Sequence, residues 1–155
     1  MTIEIGQPAP PFTLNDADGQ PVALETFRGR PVVVYFYPKD DTPGCAKEAC
    51  GFRDLWDEIT ATGAVVLGIS RDDAASHQKF RGKYNLPFTL LTDPDGTVME
   101  QYGAWGEKTA YGKKTVGAIR STVLVDPDGM VKKHWKQVKD AEAHPAQVLE
   151  ALKGA

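Results

Sequence analysis

The chain is poor in cysteine, with two among 155 residues. That is too few for the disulfide framework of a small secreted domain. In a reducing compartment a cysteine pair serves catalysis, redox chemistry or metal binding more often than structure. The expected location is therefore cytoplasmic. Long hydrophobic runs are also missing. The longest, Pro31 to Tyr37, falls far short of the roughly 20 residues of a membrane span. The start, Met1-Thr2-Ile3-Glu4-Ile5, has neither the basic residues nor the apolar core of a secretory signal. Nor is there an excess of positive charge: 18 Lys+Arg stand against 21 Asp+Glu, a net charge of -3. That balance favours neither nucleic acid nor an anionic membrane as a partner. Linkers, low-complexity tracts and like-charge blocks are absent. With 41% hydrophobic and 25% charged residues, the composition is that of a soluble globular chain. Its length is expected to form one domain over residues 1–155, with no metal or disulfide needed to fold.

What is present alternates between strand and helix patterns. Asp16-Ala17-Asp18-Gly19 reads as a turn between short strands at Phe12–Leu14 and Val22–Leu24. Pro31–Tyr37 is a continuous β-rich run, the mark of a buried strand. A helix is expected from Pro43 to Thr62, with Thr42 as N-cap, Pro43 at the first helical position and Gly63 past the end. Ala64–Ser70 is a second buried strand, Asp72–Tyr84 a helix, Phe88–Thr92 a third strand and Thr97–Tyr102 a short helix. Ile119–Val125 and Met130–Val138 form a hairpin, and Pro145–Lys153 a terminal helix. This order predicts an α/β fold with a central mixed sheet flanked by helices.

Several motifs are set aside. Asp-x-Asp-Gly begins at Asp16, Asp93 and Asp126, but an EF-hand loop needs another Asp two residues earlier. Leu14, Leu91 and Leu124 occupy those positions, so these are turns. Gly106 to Lys114 departs from a phosphate-binding loop in glycine spacing, and Lys114 stands where Ser or Thr belongs. A solvated loop is expected there. His77, His134 and His144 fall in three separate elements, and no spacing pairs them with a cysteine or carboxylate. Surface or capping roles are expected for them.

The cysteines carry the chemistry. Cys45 falls in the first turn of the expected helix, where free N–H groups and the helix dipole favour a thiolate. It also follows Thr42-Pro43-Gly44 at the end of a strand, where open α/β sheets place their sites. Phe52, Leu55, Trp56 and Ile59 form an apolar face that Cys45 and Ala49 extend backwards. Cys50 shares the charged face of Arg53, Asp54 and Asp57. Five residues at about 100° each set the two thiols about 140° apart, with Cα atoms about 8.6 Å apart. A disulfide needs less than about 7 Å. Bridging therefore requires the helix start to unwind.

Pro38-Lys39-Asp40-Asp41-Thr42-Pro43-Gly44-Cys45 matches the Pro-x-x-x-Thr-x-x-Cys motif of peroxiredoxins. Ala46-Lys47-Glu48-Ala49-Cys50-Gly51-Phe52-Arg53 closely resembles the Q-type subgroup, the bacterioferritin comigratory proteins. So do Trp105-Gly106-Glu107-Lys108 and Tyr111-Gly112-Lys113-Lys114, and Arg120-Ser121-Thr122 looks like the family's Arg-containing strand. The resemblance covers nearly the whole chain. It implies a thioredoxin-like fold and reduction of hydroperoxides by a cysteine, with no metal, flavin or other cofactor. Cys45 would be the peroxidatic cysteine, oxidised to a sulfenic acid. Arg120 would hold its thiolate charged and polarise the peroxide, and Thr42 would position the substrate. Backbone N–H groups at Gly44 and Cys45 would stabilise charge on the leaving oxygen, and Pro38 would shield the thiolate from water. Cys50 matches the resolving position, which implies an intramolecular disulfide reduced by thioredoxin. The resemblance also suggests a monomer or weak dimer.

Two other readings stand beside this one. A thiol–disulfide oxidoreductase or redox sensor on the same fold would use the pair on protein disulfides, though Cys-x-x-Cys is absent. A copper- or zinc-binding module would need closer cysteines and a recruited histidine.

Overall fold

The computed structural model describes residues 3–110 and 112–154. Strands β1 (Thr13–Asp16) and β2 (Pro21–Ala23) pair antiparallel around the first expected turn. Asp16 Oδ1 accepts from the N–H groups of Asp18 and Gln20, and Gly19 takes the φ of +78° that the turn demands. Leu24, expected at the end of the second strand, instead begins a 3-10 turn, Leu24–Phe27. The apolar run becomes β3 (Val32–Phe36), buried at every position. A strand covered on both faces has no polar face, which is why its sequence does not alternate.

Then come α1 (Pro43–Asp54), α2 (Trp56–Ala61), β4 (Val65–Ser70), α3 (Ala74–Tyr84), β5 (Thr89–Thr92) and α4 (Thr97–Gln101). The expected helix from Pro43 to Thr62 is thus two helices, broken at Leu55, where φ is -99° and ψ 11°. No proline or glycine marks the break, and leucine favours helix. Phe52 and Ile59, on either side of the break, are both fully buried. The helix expected over Asp72–Tyr84 begins at Ala74, with Asp73 as its N-cap accepting from Ser76 N at 2.9 Å.

A second correction concerns Gly106 to Lys114. It is no loop but part of a two-stranded antiparallel ribbon, β6 (Trp105–Ala110) and β7 (Lys113–Ala118). Lys113, Lys114, Thr115 and Val116 are exposed. A ribbon lying in solvent needs no apolar alternation, so its sequence carries no strand signal. Tyr111 lies outside the described residues. Strands β8 (Ser121–Val125) and β9 (Val131–Trp135) form the expected hairpin, and α5 (His144–Lys153) closes the chain.

Seven strands make one mixed sheet in the order β2-β1-β5-β4-β3-β8-β9. β3, β4 and β5 run parallel, and β8 is antiparallel to β3. Val34 and Phe36 face one apolar layer with Leu67, Met99 and Tyr102. Val33, Tyr35 and Tyr37 face the other, with Cys45, Ala49, Phe52 and Val148. The twofold periodicity of β3 assigns its side chains to the two layers. Its carboxyl end delivers the chain to residues 38–45, beside the start of β8.

Candidate active site

The site forms where β3, the first turn of α1 and the residue before β8 converge. Cys45 is buried, 1% exposed, within the first turn of α1. Arg120 precedes β8, whose Ser121 pairs with Phe36 of β3, and its carbonyl accepts from Val138 N at 2.7 Å. Its guanidinium forks. Nη2 donates to Cys45 Sγ at 3.2 Å and Nη1 to Glu48 Oε1 at 2.8 Å. Gly44 permits this approach, because a Cβ there would lie 3.0 Å from Nη2.

Thr42 sits at the N-cap position of α1 in extended conformation, yet its hydroxyl caps nothing. Instead Oγ1 donates to Lys39 O at 3.1 Å. The first bond into the helix is Ala46 N to Thr42 O at 2.8 Å. Among the described residues, nothing bonds the N–H groups of Gly44 and Cys45. The first turn therefore keeps two free donors beside the thiol. The expected hydroxyl cap is corrected, and the correction leaves that end of the helix open.

Glu48 escaped the sequence reading. It is fully buried at 0% exposure, and its Oε2 has no partner among the described residues. A signal was available: Glu48 lies three residues after Cys45, on the apolar face shared with Ala49 and Phe52. A carboxylate on a buried helical face needs a cation, and Arg120 is that cation. Burial pushes the Glu48 carboxyl from 4.5 up to about 7, against the charge and hydrogen bond of Arg120. Arg120 itself is opposed by burial, but Glu48 and Cys45 outweigh this and hold it above its ordinary value.

This raised acid has a consequence for stability. Between about pH 4.5 and about pH 7 the folded chain keeps a proton on Glu48 that the unfolded chain releases. Its stabilising contribution is complete below about pH 4.5 and is lost as pH rises through about 7, by up to about 3 kcal/mol. Glu48→Gln is neutral at every pH, so its stability is expected to gain on wild type across that window. Urea unfolding of both proteins from about pH 4 to about pH 8 checks this. A difference that stays flat or runs the other way contradicts the assignment.

Cys50 is half-buried and Cys45 buried, and both are free thiols. They lie within the unbroken α1, where regular geometry separates their Cα atoms by about 8.6 Å. Next to Cys50, Gly51 lies under α5: a Cβ there would fall 2.6 Å from Pro145 Cγ. Pro38 is half-buried and lines a cavity of about 430 Å³ with Lys39, Arg71, Asp72, Pro94, Trp105 and Ala118. Trp105 packs against the core and carries the Arg71 guanidinium 4.9 Å above its ring.

Two histidines are not on the surface. His77 is fully buried with Nδ1 2.7 Å from Asp40 Oδ2. His144 is buried with Nε2 2.8 Å from Thr122 Oγ1, and burial lowers its pKa. Each pairs across the fold with a residue that sequence spacing does not indicate. Among the described residues, no group of three His, Cys, Asp or Glu side chains gathers as a metal site.

The AhpC/TSA family pattern matches residues 5–134. A putative peroxiredoxin Bcp of Coxiella burnetii (strain RSA 493 / Nine Mile phase I) is 52% identical, covering 98% of this chain and 100% of its own. Peroxiredoxin Bcp of Bacillus subtilis (strain 168) is 44% identical over 99% of this chain and 97% of its own. Among solved structures, the bacterioferritin comigratory protein of Xanthomonas campestris superposes with a TM-score of 0.88 at 36% identity. The match covers 97% of this chain and 98% of that one, a protein with alkyl peroxide reduction activity. The mixed sheet with flanking helices is the thioredoxin-like arrangement of these peroxiredoxins. With the cysteine, arginine and threonine of the motif brought to one corner of that sheet, and relatives matching from end to end, the chain belongs to the AhpC/TSA family, with the Bcp and Q-type peroxiredoxins.

Proposed function

We propose that the chain is a thiol peroxidase that reduces hydrogen peroxide and organic hydroperoxides through Cys45. The observation that carries this is the Arg120 fork, one arm on Cys45 Sγ and the other on Glu48. A fixed guanidinium that donates to the Cys45 sulfur can also meet the incoming peroxide. Sulfur attacks the nearer peroxide oxygen, the O–O bond breaks, and Cys45 becomes a sulfenic acid. The departing oxygen leaves as water or an alcohol after taking up a proton. The free N–H groups of Gly44 and Cys45 stabilise charge arriving on that oxygen. The Thr42 hydroxyl donates its hydrogen bond to Lys39 O, so its oxygen is left to accept from the peroxide O–H. Pro38 excludes water from the thiolate. Both electrons come from sulfur, so the reaction requires no metal or flavin.

Cys50 then attacks the Cys45 sulfenic sulfur, forming a disulfide and releasing water. A dithiol reductant, thioredoxin in this proposal, restores both thiols. The separation of the thiols requires α1 to unwind for this step. The alkyl peroxide reduction named for the Xanthomonas protein supports organic hydroperoxides as substrates. A cytoplasmic monomer or weak dimer completes the proposal.

Stopped-flow tryptophan fluorescence of reduced protein with hydrogen peroxide tests it. Wild type is expected to show a fast phase and a slower one. Cys45→Ser loses both, and Cys50→Ser loses only the second. No peroxide reaction, alongside rapid exchange with a protein disulfide, would hand the chain to the thiol–disulfide oxidoreductase reading.

A further inference from the structure

Beneath residues 38–42 lies a buried polar cluster that the mechanism does not use. Asp40, 7% exposed, accepts from Tyr37 Oη at 2.6 Å through Oδ1 and from Ser76 Oγ at 2.8 Å through Oδ2. His77 Nδ1 lies 2.7 Å from the same Oδ2. The other ring nitrogen, Nε2, is 3.0 Å from Leu91 O on β5. A carbonyl oxygen only accepts, so Nε2 carries a proton and donates. The imidazole thus spans from the central sheet to Asp40, fixed at both ends and 0% exposed. Asp40 also donates its N–H to Asp72 Oδ2 at 2.8 Å.

The next residue shows what this anchoring holds. Asp41 takes φ +58°, a conformation that costs energy outside glycine and persists only where the surroundings over-determine it. Its carboxylate accepts from Lys83 Nζ at 2.8 Å and Tyr84 Oη at 2.7 Å. Two consecutive residues are therefore bolted to α3, immediately before Thr42. A bolted segment fixes where Pro38 and Thr42 stand relative to Cys45, and a misplacement of about 1 Å at a reacting centre slows chemistry about 10²-fold.

We propose that His77 is a positioning residue: acting through Asp40, it holds residues 38–42 in the geometry that lets Thr42 and Pro38 serve the attack of Cys45 on peroxide. The anchor lies on α3 and β5, not on α1. It therefore supports the peroxide step and leaves the later unwinding of α1 free. The inference rests on the peroxidase reading above.

The test measures the peroxide step alone, in a Cys50→Ser background, for His77→Gln and His77→Asn. A glutamine amide reaches toward Leu91 but not Asp40. An asparagine amide stands near Nδ1 and keeps the Asp40 bond. His77→Gln is expected to slow Cys45 oxidation about tenfold or more, and His77→Asn to restore it to within a few-fold. With Cys50 present, conversion of the sulfenic acid to the disulfide is expected at the wild-type rate in both. A folded His77→Gln protein oxidised as fast as its parent overturns the inference, as does an equal slowing of both steps. Should His77→Gln fail to fold, Ser76→Ala removes another bond to the same oxygen and carries the test: a slowed peroxide step supports it, an unchanged one refutes it. Absence of reaction in the parent itself would instead refute the peroxidase reading.

Discussion

Replacing Arg120 by methionine is expected to slow the oxidation of Cys45 by peroxide about 10²- to 10³-fold, the loss that follows removal of one fixed donor from a reacting centre. Methionine fills much of the same space without charge or donors. The variant therefore withdraws the 3.2 Å contact to Cys45 Sγ and the 2.8 Å contact to Glu48 together. It does not strand a buried anion: without Arg120 the two interactions that lower the Glu48 pKa are gone, and the acid stays protonated to higher pH. Arg120→Lys separates charge from geometry. A lysine is a point charge on a flexible stem and has no planar fork to span sulfur and carboxylate at once. Its rate is expected to fall between wild type and Arg120→Met. The second-order rate constant with hydrogen peroxide, measured in a Cys50→Ser background, checks both. A rate within a few-fold of wild type in Arg120→Met would reduce Arg120 to an anchor for Glu48.

Truncating Phe52 to alanine is expected to destabilise the fold by about 3–5 kcal/mol, the usual cost of emptying a buried aromatic site. Phe52 is fully buried. Its ring lies 4.8 Å from Tyr35, 6.2 Å from Phe88 and 6.4 Å from His144. Domains are typically stable by about 5–15 kcal/mol, so this is a large fraction. The residue also stands just past Cys50 on α1. Unwinding that brings Cys50 to Cys45 works against the packing of Phe52, and the truncation weakens that resistance. The disulfide step is therefore expected to speed up while the peroxide step holds. Urea unfolding measures the first effect and the slow fluorescence phase the second. A slower disulfide step would mean that Phe52 guides the unwound chain and does not restrain it. Phe52→Leu, a milder truncation, is expected to move both quantities in the same direction by less.

Much of the framework was legible because its causes are local. The unbroken apolar run of β3 announces burial on both faces, and the spacing of Cys45, Ala49 and Phe52 announces one face of a helix. The turns at Asp16 and Asp126 follow from side chains that bond their own backbone two and four residues on. Thr42, Cys45 and Cys50 lie within one short segment, so their motif survives in linear order. The break at Leu55 and the ribbon of β6 and β7 were not legible. The first has no proline or glycine to mark it, and the second is held by backbone pairing that leaves no apolar pattern.

Tertiary structure alone decided the partners. Arg120 reaches Cys45 across 75 residues, and His77 reaches Asp40 across 37. Neither pairing is written in a spacing, because each depends on strand order: β8 lies beside β3, and β5 lies beside β4. By itself the sequence placed Cys45 in the first turn of a helix at the end of a strand, and that placement marked it as the candidate for the reacting residue. Only the folded sheet determined what surrounds that thiol. A buried carboxylate and a buried imidazole are tolerated solely where the fold supplies hydrogen-bonding partners, and those partners come from distant parts of the chain.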